Sequence, residues 1–329
     1  MTGRRKSGEF DLIARFFEPL SRAVPGAFAL GNDGALLTPA AGASLVVTKD
    51  LMVAGVHYPE GEEPAVLARR LLRVNLSDLA AMGATATAYA LGLALPEGTD
   101  DTWVEAFAAG LARDQKAFGV ALIGGDTVAT GGPAVLSLTA FGTVVGNACL
   151  TRSGARVGDD VYVSGTIGDA TLGLRGVQGG LAALPPEDRA ALEVRFRRPE
   201  PRLGLGAALV GLATCAIDVS DGLVADLGHL CAESGVAARV AADAVPLSDP
   251  AHHALAAGEA DIADLVTGGD DYELLFCAPP SARSDIDALG RRLHLALTRI
   301  GAIEPGQGIT VLGADGQPLS ITQAGYQHF

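Results

Sequence analysis

The segment Pro64-AVLARRLLRVNLSDLAAM-Gly83 contains one residue that its surroundings disfavour. Proline at the first helical position, Glu62 and Glu63 before it and Gly83 after it mark one long helix. At about 3.6 residues per turn, Leu67, Leu71, Val74, Asp78 and Met82 fall on one stripe, with Arg69, Arg70 and Arg73 opposite. Asp78 then sits near the middle of an apolar face, where an ionised carboxylate is costly unless hydrogen bonds or a cation compensate it. The alternative is a break at Asn75-Leu-Ser-Asp78, with Ser77 or Asp78 capping a second short helix. Other aspartates in comparable settings favour the first reading.

Upstream, Ser44-LVVTKD-Leu51 is a β-type run in which Thr48 and Asp50 share one face and Lys49 takes the other. His57 follows at the strand end, where a lone histidine is more often structural than functional. Gly31-NDGAL-Leu37 reads as a turn and the start of a strand, and an aspartate such as Asp33 in this turn is ordinary turn chemistry. Residues 9–22 space Phe10, Ile13, Phe16, Phe17 and Leu20 for one face of a short helix.

Downstream, a second helix runs from about Asp101 to Ala117. Val120-ALIGGD-Thr127 then reads as a buried strand ending in Gly124, Gly125 and Asp126, and open α/β sheets gather ligand groups beyond such ends. The uncharged run Thr127–Thr151 is interrupted by Gly131-Gly132-Pro133, so it reads as two buried strands and a turn rather than a membrane span. The alternation of strands and helices predicts an α/β N-terminal domain, 1–147.

A new pattern begins after Gly146, predicting a C-terminal domain, 148–329. Arg152 lies in a loop, Val161–Ser164 starts a strand, and Gly165–Gly173 is a strand-to-helix turn. Residues 179–202 read as loop-rich. In Thr214-CAIDVSDGLVADLGH-Leu230, Asp218 and Ser220 share a strand face, and Asp221 opens a helix, where its ordinary role is a cap. A second Gly-Gly-Asp ends at Asp270.

Composition narrows the chemistry. The chain has 329 residues, a net charge of −14 and only three lysines, Lys6, Lys49 and Lys116. Such a surface repels a phosphate backbone, so nucleic acid is not an expected partner. The four cysteines show no CxxC spacing and suit a reducing compartment. The basic N-terminus lacks an apolar signal core, so a cytoplasmic protein with no membrane association is expected. There is no Gly-Lys dipeptide for a P-loop, no HExxH and no GxSxG. What remains is Asp33, Asp50, Asp78, Asp126, Asp218 and Asp221. Two carboxylates about 4 Å apart repel by roughly 4 kcal/mol at an effective dielectric near 20, so a cluster of them calls for cations. All-oxygen ligands suit magnesium, calcium or manganese, and magnesium keeps positions open for phosphate oxygens.

In order, the chain carries LGNDGALL, VVTKDLMVAGVHY, VNLSDLAAMGA, LIGGDT, LTRSGA, AIDVSDGLVADLGHL, TGGDDYELLF and GYQHF. This set resembles the thiamine-monophosphate kinase family of the aminoimidazole-ribonucleotide-synthetase-like (PurM-like) superfamily, from Gly8 to Phe329. The resemblance implies an α/β (α+β) two-domain fold, N-terminal strands pairing across a homodimer, and ATP with several magnesium ions between the two domains. It implies magnesium positions at Asp33, Thr48, Asp50, Asp78, Asp126, Asp218 and Asp221. ATP contacts fall at Gly125, Asp126, Arg152 and Ser220, and substrate contacts at His57 and Asp270. Tyr326 is the local aromatic expected to face thiamine, with Gln323 as the alternative; a cationic thiazolium suits an aromatic face.

Three positions depart from the family pattern. Asn32 replaces the first aspartate of an Asp-Asp pair, Lys49 replaces a threonine, and Asp270 replaces a glutamate, shortening that arm by one methylene. The implied reaction is direct in-line transfer of the ATP γ-phosphoryl to thiamine phosphate, with Asp50, Asp78 and Asp126 holding the bridging ions. The rivals are another superfamily chemistry, activating an amide, selenide or carbamoyl group with ATP, and a non-catalytic nucleotide-binding regulator. Selenide chemistry usually needs a reactive N-terminal cysteine, and the first cysteine here is Cys149.

Overall fold

The computed structural model describes residues 8–326; the basic Met1–Ser7 and the closing Gln327-His328-Phe329 lie outside the described residues. The chain divides into two compact units. One runs to Leu79 and resumes at Ala84–Asn147; the other takes Ala80–Gly83 and the chain from Ala148 onward.

The first unit begins with α1 (Glu9–Leu12), a π-helical turn Ile13–Phe17 and α2 (Glu18–Ser21). Phe16, Phe17 and Leu20 are buried as their spacing predicts, whereas Phe10 is exposed. The expected strand start within 31–37 is absent, and regular pairing begins only with β1 (Ala43–Val53). Then come α3 (Pro64–Ala81), β2 (Thr85–Pro96), α4 (Asp101–Phe118), β3 (Ala121–Thr130) and β4 (Val135–Val145). The sheet order is β1-β4-β2-β3. β1 and β2 flank β4 antiparallel, and β3 runs parallel to β2.

The helix at 64–81 is continuous, without a break at Asn75–Asp78. Its arginine side is enclosed as well. Arg69 and Arg73 grip the fully buried Asp114 of α4 at 2.9 and 2.6 Å, and Arg73 lies over the Phe118 ring. Pairing with α4 on one side and β1 on the other explains why α3 is buried nearly all round.

The strand at Gly124-Gly125-Asp126 does not end there. A register shift opposite Tyr89 and Ala90 leaves Ile123 unpaired, and β3 resumes beside β2 as far as Thr130. Its second half is largely exposed, because β3 is an edge strand; the pair of buried strands expected over 127–151 is buried only in β4. Gly125 is required by this pairing. A Cβ at Gly125 would run into the Leu91 carbonyl oxygen. Gly125→Ala is therefore expected to destabilise the protein by about 1–3 kcal/mol, the cost of overpacking, as a lowered melting temperature.

The second unit contains β5 (Asp160–Ser164), α5 (Asp169–Val177), α6 (Pro186–Arg197), α7 (Leu203–Leu209), β6 (Cys215–Asp218) and α8 (Leu223–Ser234). These are followed by β7 (Ala237–Ala241), α9 (Asp249–Ala256), α10 (Ile262–Thr267), β8 (Leu274–Ala278), α11 (Arg283–Leu293), β9 (Leu297–Glu304) and β10 (Gly308–Leu312). Its sheet runs β10-β7-β9-β5-β8-β6, antiparallel except for β10 beside β7. The stretch read as loop-rich over 179–202 holds α6, which buries only Leu192 and Phe196, too sparse a stripe to stand out. Among the described residues no helix is long and apolar enough to cross a membrane.

Candidate functional site

In the first unit β1 and α3 meet through side chains chosen for polarity. The Thr48 hydroxyl donates to Asp78 Oδ2 at 2.5 Å. Asn75, fully buried, accepts the Asp50 amide N–H at 3.1 Å and donates to the Leu71 carbonyl at 2.8 Å. Asp50 is thus held beside Asp78. Burial, with the like charge of Asp78 second, pushes the Asp50 carboxyl up to about 7. Lys49 lies across the strand, its Nζ against Ser137 Oγ at 2.5 Å. His57 is in the turn after β1, and its Nδ1 accepts the Val53 N–H at 3.1 Å, which leaves the neutral ring's proton on Nε2.

A second group of predicted residues surrounds a cavity of about 140 Å³ in the same unit: Asn32, Asp33, Gly125 and Asp126, against Phe17 and Leu91. The sheet keeps Asp126 away from the first group. Asp50 pairs with Leu138, Leu138 with Leu91, and Leu91 with Gly125. That row spans the sheet from edge to edge, roughly 14 Å at the usual strand spacing. One copy of the chain therefore does not gather Asp50, Asp78 and Asp126 around one point through this sheet.

In the second unit three separate stretches are stitched together by backbone. The Asp270 N–H donates to the Ser220 carbonyl at 2.8 Å, the Tyr272 N–H to Val219 at 2.8 Å, and the Tyr326 N–H to Asp221 at 3.0 Å. Ser220, Asp221, Asp270 and Tyr326 therefore share one patch beyond the end of β6, where Asp218 is the last strand residue. Gln323 is beside them, its side-chain amide donating to the Gly325 carbonyl at 2.9 Å. Arg152 does not join the group. It is exposed, and its carbonyl faces Ser234 at the far end of α8 from Ser220.

The chain matches the family "AIR synthase related protein, N-terminal domain" over residues 31–144 and the corresponding C-terminal domain family over 156–313. It is 40% identical over 324 residues to the thiamine-monophosphate kinase of Salmonella typhimurium, covering 98% of each chain. The chain belongs to the thiamine-monophosphate kinase family. The crystal structure of the Stenotrophomonas maltophilia thiamine-monophosphate kinase superposes with a TM-score of 0.80 at 44% identity, over 88% of this chain and 91% of that one. AaThiL complexed with AMPPCP and TMP gives 0.78 at 30% identity, over 98% and 97%.

For a thiamine-monophosphate kinase fold, three carboxylates in the second unit matter that the sequence reading passed over. Asp226 Oδ2 accepts the N–H groups of Ser220, Asp221 and Gly222, at 3.0, 3.0 and 3.1 Å, and so ties down the loop before α8, where the cap expected of Asp221 is not made. Asp271 and Glu273, both buried, anchor the loop that bears Asp270. The only signal for Glu273 was the arginine-rich RFRRPEPR in a lysine-poor chain, since Arg195 and Arg202 are its partners.

The donor chemistry fits magnesium. Among the described residues no three His, Cys, Asp or Glu side chains gather closely enough to hold a metal on their own. Magnesium is ordinarily held by one or two carboxylates with substrate phosphates and water, and Asp50 with Asp78 supplies such a pair of hard oxygen ligands.

Proposed function

We propose that the chain transfers the γ-phosphoryl group of ATP to thiamine phosphate, giving thiamine diphosphate and ADP, the last step in making that cofactor. The observation that carries this reading is the joining of Asp270 to Ser220 and of Tyr326 to Asp221, residues to which the resemblance assigns acceptor, nucleotide and metal roles. The likeness to AaThiL, which is complexed with AMPPCP, an ATP analogue, and TMP, supports the same pair of substrates here.

In this reading Gly125, Asp126, Arg152 and Ser220 contact ATP, and His57, Asp270 and Tyr326 contact the acceptor. Asp33, Thr48, Asp50, Asp78, Asp126, Asp218 and Asp221 would hold several magnesium ions, which would supply neutralising charge on the phosphate oxygens, the part that lysine plays in a P-loop enzyme. The domain 1–147 contributes the first group of aspartates, and 148–329 contributes Arg152, Ser220 and the acceptor arm. The acceptor is a phosphate monoester with a second pKa of about 6, already ionised at neutral pH, so no general base is needed. Positioning in line does the rest, and transfer is direct. Trapping a phosphorylated enzyme without acceptor would overturn the direct route.

A homodimer is part of the proposal, and the cytoplasm is the expected compartment. β1 is an edge strand of eleven residues that presents Leu45, Val47 and Leu51 at 43%, 54% and 51% exposure along one face. A long apolar edge strand without proline invites pairing with another copy. Val47→Glu is expected to shift the protein from dimer to monomer in size-exclusion chromatography with light scattering; an unchanged dimer would place the interface elsewhere. ADP release with alternative acceptors tests the reaction: thiamine phosphate should stimulate it, and stimulation by an amide, selenide or carbamoyl acceptor instead would contradict it.

A further inference from the structure

The loop Gly268–Glu273 alternates between anchors and presented residues. Asp271 and Glu273 are buried, while Asp270 and Tyr272 between and beside them are half-buried. The two presented residues have left-handed backbones, φ 72° at Asp270 and 51° at Tyr272, a conformation that non-glycine residues adopt only when their surroundings impose it. The imposing contacts are specific. Asp271 accepts the N–H of Gly168 at 2.7 Å and of Ala170 at 3.1 Å at the start of α5. Glu273 receives a two-pronged Arg202, Arg195 at 2.8 Å and the Ser164 hydroxyl at 2.6 Å. The amides of Asp270 and Tyr272 are pinned to Ser220 and Val219. Gly268 and Gly269 admit no side chain, since a Cβ would strike Thr171 at one and the Ser220 carbonyl at the other.

We infer that Asp271 and Glu273 are positioning residues that fix the strained backbone of Asp270 and so aim its carboxylate at the phosphoryl acceptor. The inference rests on the proposed function, in which Asp270 contacts that acceptor. Asp270 is a short arm, so its reach depends on where its backbone is held rather than on a flexible side chain. In this reading neither anchor, being buried, contacts the acceptor itself. Their part is to keep the left-handed residues Asp270 and Tyr272, on either side of Asp271, from relaxing.

The test uses the full chain. Asp271→Asn keeps the shape but can accept only through one oxygen, so one of the two N–H groups loses its partner. It should raise KM for thiamine phosphate at least tenfold while changing KM for ATP less than twofold. In an Asp270→Ala background the same substitution should add no further loss, because the arm it aims is gone. Arg202→Lys, which keeps the charge but breaks the two-pronged contact with Glu273, should show the same selectivity and the same cancellation, and serves if Asp271→Asn does not fold. Equal losses for both substrates, or losses that add in the Asp270→Ala background, would reduce the anchors to ordinary structural residues and overturn the inference alone. A folded wild-type protein that converts no thiamine phosphate would overturn the proposed function and this inference with it.

Discussion

Asp78→Asn is expected to lower kcat by about 10²–10³-fold, the range typical of removing one preorganised electrostatic contact, without weakening the metal-free fold. The asparagine carbonyl can still accept the Thr48 hydroxyl bond that Asp78 Oδ2 now takes, so the β1–α3 contact survives. What disappears is a negative charge beside Asp50. That charge is unfavourable without a cation and needed with one. Relieving it should stabilise the metal-free protein by something on the order of 1 kcal/mol, since a shift of one pKa unit corresponds to that scale. Activity and stability therefore move in opposite directions. Steady-state turnover and thermal melting in chelator check both signs, and a variant with wild-type turnover would remove Asp78 from the chemistry.

The second large effect is a pH dependence that magnesium should erase. The Asp50 carboxyl is raised from 3.8 to about 7, first by burial and then by Asp78. A folded-state value above the unfolded one means that the folded form holds its proton more tightly. The stabilising contribution is then complete below pH 3.8 and is lost as pH rises through about 7. In metal-free buffer the loss from this group amounts to a few kcal/mol at most, by the linkage relation. Magnesium competes with the proton, so its affinity should weaken as pH falls below about 7, and saturating magnesium should flatten the stability profile. Denaturant midpoints from pH 5 to 8, with and without magnesium, measure this. Asp226 and Asp271 are raised in the same direction, to about 7 and about 8, so Asp50→Asn is the necessary comparison: the magnesium-sensitive part of the slope should vanish in it.

Much of the framework was legible because it depends on local pattern. Proline, glycine and a regular apolar stripe delimit α3, and alternation in Ser44–Leu51 places Lys49 opposite Thr48 and Asp50, as its contact with Ser137 bears out. The misplaced features depend on partners far along the chain. Gly124-Gly125 looked like a strand end, yet β2 holds β3 in register past it, because absence of a Cβ permits close approach to Leu91. The arginines of α3 gave no sign that Asp114 would enclose them. Asp226, Asp271 and Glu273 are legible only once the loops they hold are seen together. Within the proposed site the aspartates were picked out by their odd settings, but settings alone do not reveal that Asp50 and Asp126 occupy opposite edges of a sheet, or that Arg152 lies at the wrong end of α8 to meet Ser220 in its own unit.

The decisive measurement is mass spectrometry of the products after incubating the protein with thiamine phosphate, ATP and magnesium, with Asp78→Asn in parallel. Thiamine diphosphate and ADP should form in equal amounts with the wild type and nearly vanish with the variant. ADP accumulating without thiamine diphosphate, or thiamine diphosphate formed equally well by Asp78→Asn, would contradict the proposal that these aspartates organise transfer between two anionic substrates.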